Sequence, residues 1–148
     1  MEAREYVLAN REGKGCICPS CDRFIRVYRR NIGGLMCVWL IDLVRKWLVE
    51  QRPYHVRELA QTASRGDEAK LRYWDLARWE ANDDPSKKNS GLWQPTSRGI
   101  AFAHCNLRVP RHALVLVTVC IGMADETDLV DIKDCLKEKF DYEELMSR

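Results

Sequence analysis

Seven cysteines give this sequence its most evident capacity for chemistry. Cys18 and Cys21 lie two residues apart in the sequence CPSC. This is the spacing of a zinc knuckle, in which two thiolates from one tight turn bind the same metal ion. A structural zinc site takes four ligands, usually as two close pairs. A zinc site at this knuckle therefore needs two further ligands.

No second cysteine pair has this spacing, so the other ligands must come from a different pattern. Ligand-type residues concentrate once more around Pro110. The predicted zinc ligands are Cys18, Cys21, His104 and His112. Cys16 or Cys105 could replace one of them. The alternative is that the cysteines are free, buried thiols that act as small apolar residues, because a reducing compartment disfavours disulfides.

Arginine and lysine side chains form the second kind of candidate site, because they bind phosphate. Three arginines surround Tyr28 in the stretch RVYRR, and strand alternation places Arg26 and Tyr28 on one face. The predicted nucleic-acid-binding residues are Arg26, Arg29, Arg30, Arg65, Lys70, Arg72, Arg78, Lys87 and Lys88. Two alternatives remain for the strand arginines. They are ordinary surface charge, or they bind the carboxylates of an acidic protein partner.

Hydrophobic periodicity predicts the helices that would hold these residues. Apolar residues recur about every four residues over 32–50, which indicates a long core helix that Asn31 caps and Pro53 ends. Shorter amphipathic patterns predict two further helices over residues 54–64 and 68–77, joined by a turn that contains glycine. Two helices joined in this way are typical of a helix-turn-helix.

A predicted β-hairpin follows these helices. Its strands are residues 78–80 and 91–94, and its polar loop, residues 82–90, holds two lysines. Thr96 then caps a helix that runs to about residue 105. Helix, turn, helix and protruding hairpin together predict a winged helix-turn-helix.

The C-terminal part is predicted to add a buried strand over residues 113–120 and a helix over 130–140. The apolar face of that helix offers a surface on which two copies could form a homodimer. The predicted fold class is α+β. The predicted organisation is an arm with a cysteine knuckle (1–30), a winged helix-turn-helix core (31–108) and a strand-helix extension (109–148).

Charge is distributed unevenly along the chain. The net charge is +2, but residues 123–148 hold nine acids and four bases, which leaves −5 there and +7 on residues 1–122. A basic body fits a protein that contacts a polyanion such as DNA. Asp67 and Glu68 at the start of the second short helix weaken the case for base contacts there, because they would repel phosphate. Two ordinary solvated surfaces are the alternative.

Composition and motifs exclude other classes of protein. The longest apolar runs are shorter than the roughly 18 residues that a membrane helix needs, and the charged N-terminus does not resemble a secretion signal. We therefore expect a cytoplasmic protein. The sequence has no glycine-rich phosphate loop and no histidine pair at metalloprotease spacing, so we expect no enzymatic activity.

Two resemblances add to this interpretation. The stretch LRYWDLARWE…SGLWQPTSRGIAFA, with Thr96 and Gly99 at the start of a helix, resembles winged-helix regulators of the multiple-antibiotic-resistance type. The whole chain resembles a family of uncharacterised phage and prophage proteins through its motifs CPSC, VYRR, KLRYW, SGLW, VPR and FDYEEL. The second resemblance implies a bacteriophage origin and carries no established activity.

Three hypotheses for the function follow. The first is a phage-encoded DNA-binding protein that acts as a transcriptional regulator and contacts the phosphate backbone. The second is a phage-encoded protein that binds and modulates a host protein complex, such as a defence system or a polymerase. The third is a structural or assembly role.

Overall fold

The fold is that of a computed structural model, which describes residues 2–60, 67–86 and 90–148. It is an α+β structure, as predicted. The α-helices are α1 (Ala3–Asn10), α2 (Gly34–Glu50), α3 (Ser97–Ala103), α4 (Ile132–Leu136) and α5 (Tyr142–Ser147). Two 3₁₀ helices span Val56–Glu58 and Asp67–Trp74. The strands are β1 (Cys16–Ile17), β2 (Phe24–Ile25), β3 (Val27–Asn31), β4 (Tyr54–His55), β5 (Ala77–Trp79), β6 (Leu92–Pro95), β7 (Val109–Pro110), β8 (His112–Leu116), β9 (Val119–Met123) and β10 (Leu129–Val130).

Helix α2 forms the centre of the hydrophobic core. Every residue from Met36 to Ile41 is buried, so this half of the helix is apolar on all sides, as expected for a helix enclosed by other elements. It packs against β6, the 3₁₀ helix Asp67–Trp74, α3, α4 and α5. The helix ends at Glu50, where Gln51 adopts a left-handed conformation and donates its N–H to the carbonyl of Trp47.

One three-stranded antiparallel sheet, with the order β4-β6-β5, packs on α2. Helix α3 follows its central strand. The Thr96 hydroxyl accepts a hydrogen bond of 3.0 Å from the Gly99 N–H, so Thr96 caps this helix as predicted. A Cβ atom at Gly99 would overlap the carbonyl oxygen of Leu76, so only glycine lets the first turn of α3 approach the entry to β5 this closely.

A second three-stranded sheet, with the order β3-β8-β9, joins the two ends of the chain. Val27 pairs with Leu116 and Asn31 pairs with His112. This sheet therefore combines a strand from the predicted N-terminal arm with two strands from the predicted C-terminal extension. Asn31, predicted to cap α2, is the last residue of β3, and Gly33 is the N-cap instead.

The helix predicted over residues 54–64 is wrong in its described part, since residues 61–64 lie outside the described ranges. Tyr54 and His55 form β4, which pairs with Trp93 and Leu92, and a single 3₁₀ turn follows. Backbone hydrogen bonding of β4 with β6 therefore overrides the helical conformation that the amphipathic pattern predicts there. The helix predicted over 68–77 is the 3₁₀ helix, which ends where Asp75 adopts a left-handed conformation (φ 56°) and turns the chain into β5.

The single strand predicted over residues 113–120 is a hairpin of β8 and β9. Val117 and Thr118 form its two-residue turn, and Val117 has a positive φ of 59°. No glycine, asparagine or proline marks this turn in the sequence, so the run of apolar residues conceals it.

The helix predicted over 130–140 ends at Leu136, because Lys137 adopts a positive φ of 57°. The apolar residues Ile132 and Leu136 are buried, and α4 packs on α2. The face that we expected to pair two copies is therefore occupied within the chain. Among the described residues, no helix combines the length and apolarity needed to cross a bilayer.

Candidate functional site

Two arginines flank the exposed Tyr28 of β3: Arg26, which precedes the strand, and Arg30, which lies within it. The guanidinium carbon of Arg26 lies 5.4 Å from the centre of the Tyr28 ring, and that of Arg30 lies 5.0 Å from it. Alternate residues of a strand share a face, and cation–π attraction orients both guanidinium groups on the ring. Among the ion pairs of the described residues, none includes Arg26, Arg29 or Arg30. These charges therefore remain available to an anionic partner.

An open groove of about 610 Å³ lies beside β3, and its lining includes Arg26, Tyr28 and Arg29. Arg29 lies on the opposite face of the strand from Tyr28.

Burial, and then the positive charge of Arg29, lower the pKa of His112 below its usual value. Hydrogen bonds from Thr127 are the main cause that lowers the pKa of Asp125.

The remaining predicted phosphate-binding residues do not form one surface. Lys70 donates to Asp67 at 2.6 Å within the 3₁₀ helix, so much of its charge is neutralised locally. Arg78 is exposed on the edge strand β5. Three further predicted residues, Arg65, Lys87 and Lys88, lie outside the described residues.

Arg72 connects the 3₁₀ helix to two other elements. Its Nη2 donates to the carbonyl oxygen of Thr118, in the turn between β8 and β9, at 3.2 Å. Its guanidinium carbon lies 4.6 Å from the centre of the Trp79 ring. Because Val27 pairs with Leu116 next to the same turn, Arg26 and Arg72 lie at the same end of the β3-β8-β9 sheet.

Trp79 is the exposed end of a row of three tryptophans. Its side chain is 41% exposed, its ring centre lies 5.3 Å from that of Trp93, and Trp93 in turn contacts the buried Trp39 at 5.6 Å. Val117 lies in the turn that Arg72 contacts, Val119 follows it, and both are exposed. Sequence reasoning missed this apolar patch, because the two valines belong to a run that indicates a buried strand.

The cysteine knuckle forms the turn of the hairpin between β1 and β2. The N–H of Cys18 donates to the carbonyl of Arg23 at 2.8 Å, and the N–H of Asp22 donates to the carbonyl of Cys18 at 2.9 Å. Hydrogen bonds from the backbone N–H groups of Ser20 and Cys21 lower the pKa of the Cys18 thiol. These hydrogen bonds favour the thiolate form of Cys18, which is buried, whereas Cys21 is exposed.

The structure does not gather the four predicted zinc ligands. Among the described residues, no three side chains of His, Cys, Asp or Glu are grouped so as to hold a metal ion. His104 caps α3 with its Nδ1 2.8 Å from the carbonyl oxygen of Ile100, and His112 begins β8. Cys105, the proposed substitute, lies next to Tyr142 and contributes to the raised pKa of that phenol, which burial mainly causes. Among the described residues, no third ligand-type side chain therefore joins Cys18 and Cys21.

Comparison with protein-family models, with curated proteins and with solved structures finds no match for this chain.

Proposed function

We propose that this chain is a phage-encoded DNA-binding protein built on a winged helix-turn-helix module, which holds the phosphate backbone through Arg26 and Arg30, at and just before β3. The observation that carries the proposal is the pair Arg26 and Arg30, oriented on the exposed ring of Tyr28 with no ion-pair partner among the described residues. Guanidinium groups bind phosphate oxygens strongly, and contacts of this kind position a protein on DNA without reading its sequence.

The strand order supports the winged-helix part of the proposal. Helix α2, β4, the 3₁₀ helix Asp67–Trp74, β5 and β6 follow one another, and β6 pairs with both β4 and β5. We infer from this order that the 3₁₀ helix serves as the recognition helix and that the segment between β5 and β6, of which residues 87–89 lie outside the described ranges, serves as the wing. A regulator that reads bases needs free side chains on the recognition helix. Lys70 and Arg72 are engaged within the chain, so phosphate contact from β3 is the stronger part of the proposal.

Salt dependence of binding to a mixed-sequence duplex tests this proposal. Each neutralised phosphate contributes about 0.9 to the slope of log K against log salt concentration. Replacing both Arg26 and Arg30 by Gln should weaken binding and reduce that slope by up to about 1.8. The matched control replaces Lys133 and Arg148 by Gln, which removes the same charge from two exposed residues paired with Glu143 and Glu144.

We expect the control to leave the slope unchanged. Equal losses for the two double variants would mean that only net charge matters, and the proposal for β3 would then fail. Absence of binding by the unaltered protein at low salt would remove the DNA-binding function altogether.

A second candidate function rests on the patch around Trp79. Exposed tryptophan and arginine next to apolar side chains are typical of the centre of a protein–protein interface. In this alternative the chain binds and modulates a host protein complex. Capture of a host protein that survives nuclease treatment, is lost in Trp79→Ala and persists in the Arg26/Arg30 double variant would favour it. Capture abolished by nuclease would exclude it.

A further inference from the structure

Two exposed aromatic rings of this chain each have an arginine guanidinium group over them. Tyr28 is 39% exposed, and the guanidinium carbons of Arg26 and Arg30 lie 5.4 and 5.0 Å from its ring centre. Trp79 is 41% exposed, and that of Arg72 lies 4.6 Å from its ring centre. An exposed ring beside a cation can bind both parts of a nucleotide, because the ring stacks on the base and the cation attracts the phosphate.

Both of these aromatic–arginine groups lie at one face of the β3-β8-β9 sheet. Tyr28 pairs with Val115, and Val115 pairs with Cys120, so the three side chains share a face. The Sγ of Cys120 donates to the carbonyl oxygen of Tyr73 at 3.8 Å, which places the 3₁₀ helix against that face. Arg72, the preceding residue, reaches the turn between β8 and β9. Two strand spacings, about 10 Å, separate β3 from β9, and a few nucleotides span this distance.

The faces of bases are accessible in a single strand, whereas a duplex keeps them stacked on one another. A helix-turn-helix protein reads a duplex through free side chains of its recognition helix in the major groove. Lys70 and Arg72 of the 3₁₀ helix are engaged within the chain. Guanidinium groups are themselves planes on which unstacked bases lie, so the arginines over Tyr28 extend its stacking surface. These features favour a single strand over a duplex.

We propose that the DNA bound here is single-stranded, with one base stacked at Tyr28, another at Trp79, and phosphates held by Arg26 and Arg30. This inference rests on the proposed function, because both require these two arginines to bind phosphate. It goes further in assigning the aromatic rings to bases. A duplex then binds more weakly, through its phosphates alone.

Three forms of one ligand test the proposal. They are a mixed-sequence oligonucleotide of about 12 nucleotides, an abasic strand of the same length, and the duplex of the first with its complement. All three carry phosphates, but only the first offers free base faces. Fluorescence anisotropy at one salt concentration measures the three affinities. The mixed strand should bind at least about fivefold more tightly than either of the others, since that is the effect of one stacked base.

Tyr28→Leu should weaken binding of the mixed strand at least about fivefold and leave the abasic strand and the duplex unaffected, because leucine keeps apolar contact and offers no ring. Tyr6→Leu is the matched control. Tyr6 is 38% exposed on α1, and none of the cation–ring contacts of the described residues includes it. It should leave all three affinities unchanged. Far-UV circular dichroism checks that both variants fold.

Three results would overturn the inference. They are a duplex bound as tightly as the mixed strand, an abasic strand bound as tightly as the mixed strand, and equal losses in the two tyrosine variants. Each of these would leave phosphate binding by the arginines at β3 intact. Absence of binding to all three ligands would overturn the proposed function together with this inference.

Discussion

Arg29 and His112 show how one side chain sets the charge state of another at the proposed interface. Arg29 pairs with Leu114 and His112 pairs with Asn31, so the two residues are diagonal neighbours on β3 and β8. Burial and then the charge of Arg29 lower the pKa of His112, and Asp128 acts in the opposite direction. Because the folded pKa lies below the unfolded value of 6.5, the unfolded chain binds the proton more readily. The contribution of His112 to stability is therefore fully present above pH 6.5 and is lost as the pH falls from 6.5 through the lower pKa of the folded state.

Replacing Arg29 by Gln should raise the pKa of His112, because it removes the positive charge that opposes protonation. The chain has three histidines, so the imidazole proton signals in an NMR titration can be assigned by single substitutions. Lys139→Gln, an exposed cation elsewhere, is the control and should leave the titration midpoint unchanged. If the midpoint of His112 is the same in Arg29→Gln and in the unaltered protein, then Arg29 does not act on His112.

Single residues also show which parts of the fold the sequence could reveal. Thr96 and Gly99 mark the start of α3 correctly, because a cap and a close backbone approach each demand a particular residue type. Val117 carries no such mark, since its positive φ is imposed by the pairing of the strands around it. Ile17 and Phe24 are apolar, and only the folded structure reveals that both side chains are exposed.

The hairpin of β8 and β9 contains a turn that fits its own residues poorly. A two-residue hairpin turn with positive φ at its first position favours glycine or asparagine, and Val117 is β-branched and 76% exposed. The strained backbone of Val117 is not offset by burial of its side chain, which is exposed. The turn therefore lowers the stability of an element that Arg72 holds in place.

Val117→Asn should stabilise the protein by about 1 kcal/mol, because asparagine tolerates the left-handed conformation. Urea unfolding measures the change. Val119→Asn, also an exposed valine but in the extended conformation of β9, should instead lower stability by up to about 1 kcal/mol. A loss of stability in both variants would indicate that the side chain of Val117, rather than its backbone, contributes to the fold.

Among whole elements, the sequence predicts best where periodicity and burial agree. Helix α2 lies almost where it was predicted, because its apolar pattern and its enclosed position demand the same residues. The predictions of a helix at 54–58 and of one unbroken strand at 113–120 are wrong, because strand pairing decides the conformation of both segments. The same limitation applies to the predicted zinc site, because the spacing of Cys18 and Cys21 does not reveal which distant side chains lie near them.

At the scale of the molecule, α2 links the two three-stranded sheets and the C-terminal helices through one core. The predicted division at residues 30 and 108 cuts through the β3-β8-β9 sheet. Among the described residues, buried side chains of both three-stranded sheets and of α2 belong to one core cluster. The chain should therefore unfold as one unit.

Leu40→Ala tests this expectation, because Leu40 is fully buried in α2. The cavity should cost about 2–5 kcal/mol, and near-UV and far-UV circular dichroism should report the same shifted urea midpoint. Leu8→Ala is the control, since Leu8 is 52% exposed on α1 and should change stability by less than about 0.5 kcal/mol. Two separate transitions in Leu40→Ala would show that the ends of the chain fold independently.

The long separation between β3 and its partner β8 has a consequence during protein synthesis. About 80 residues separate the two strands. At a translation rate of roughly 5–20 residues per second, β8 is synthesised several seconds or more after β3. A nascent strand with open backbone groups invites pairing with a neighbouring chain. The positive charges of Arg29 and Arg30 would repel the same residues of a second nascent chain, so we expect them to disfavour such pairing until β8 is synthesised.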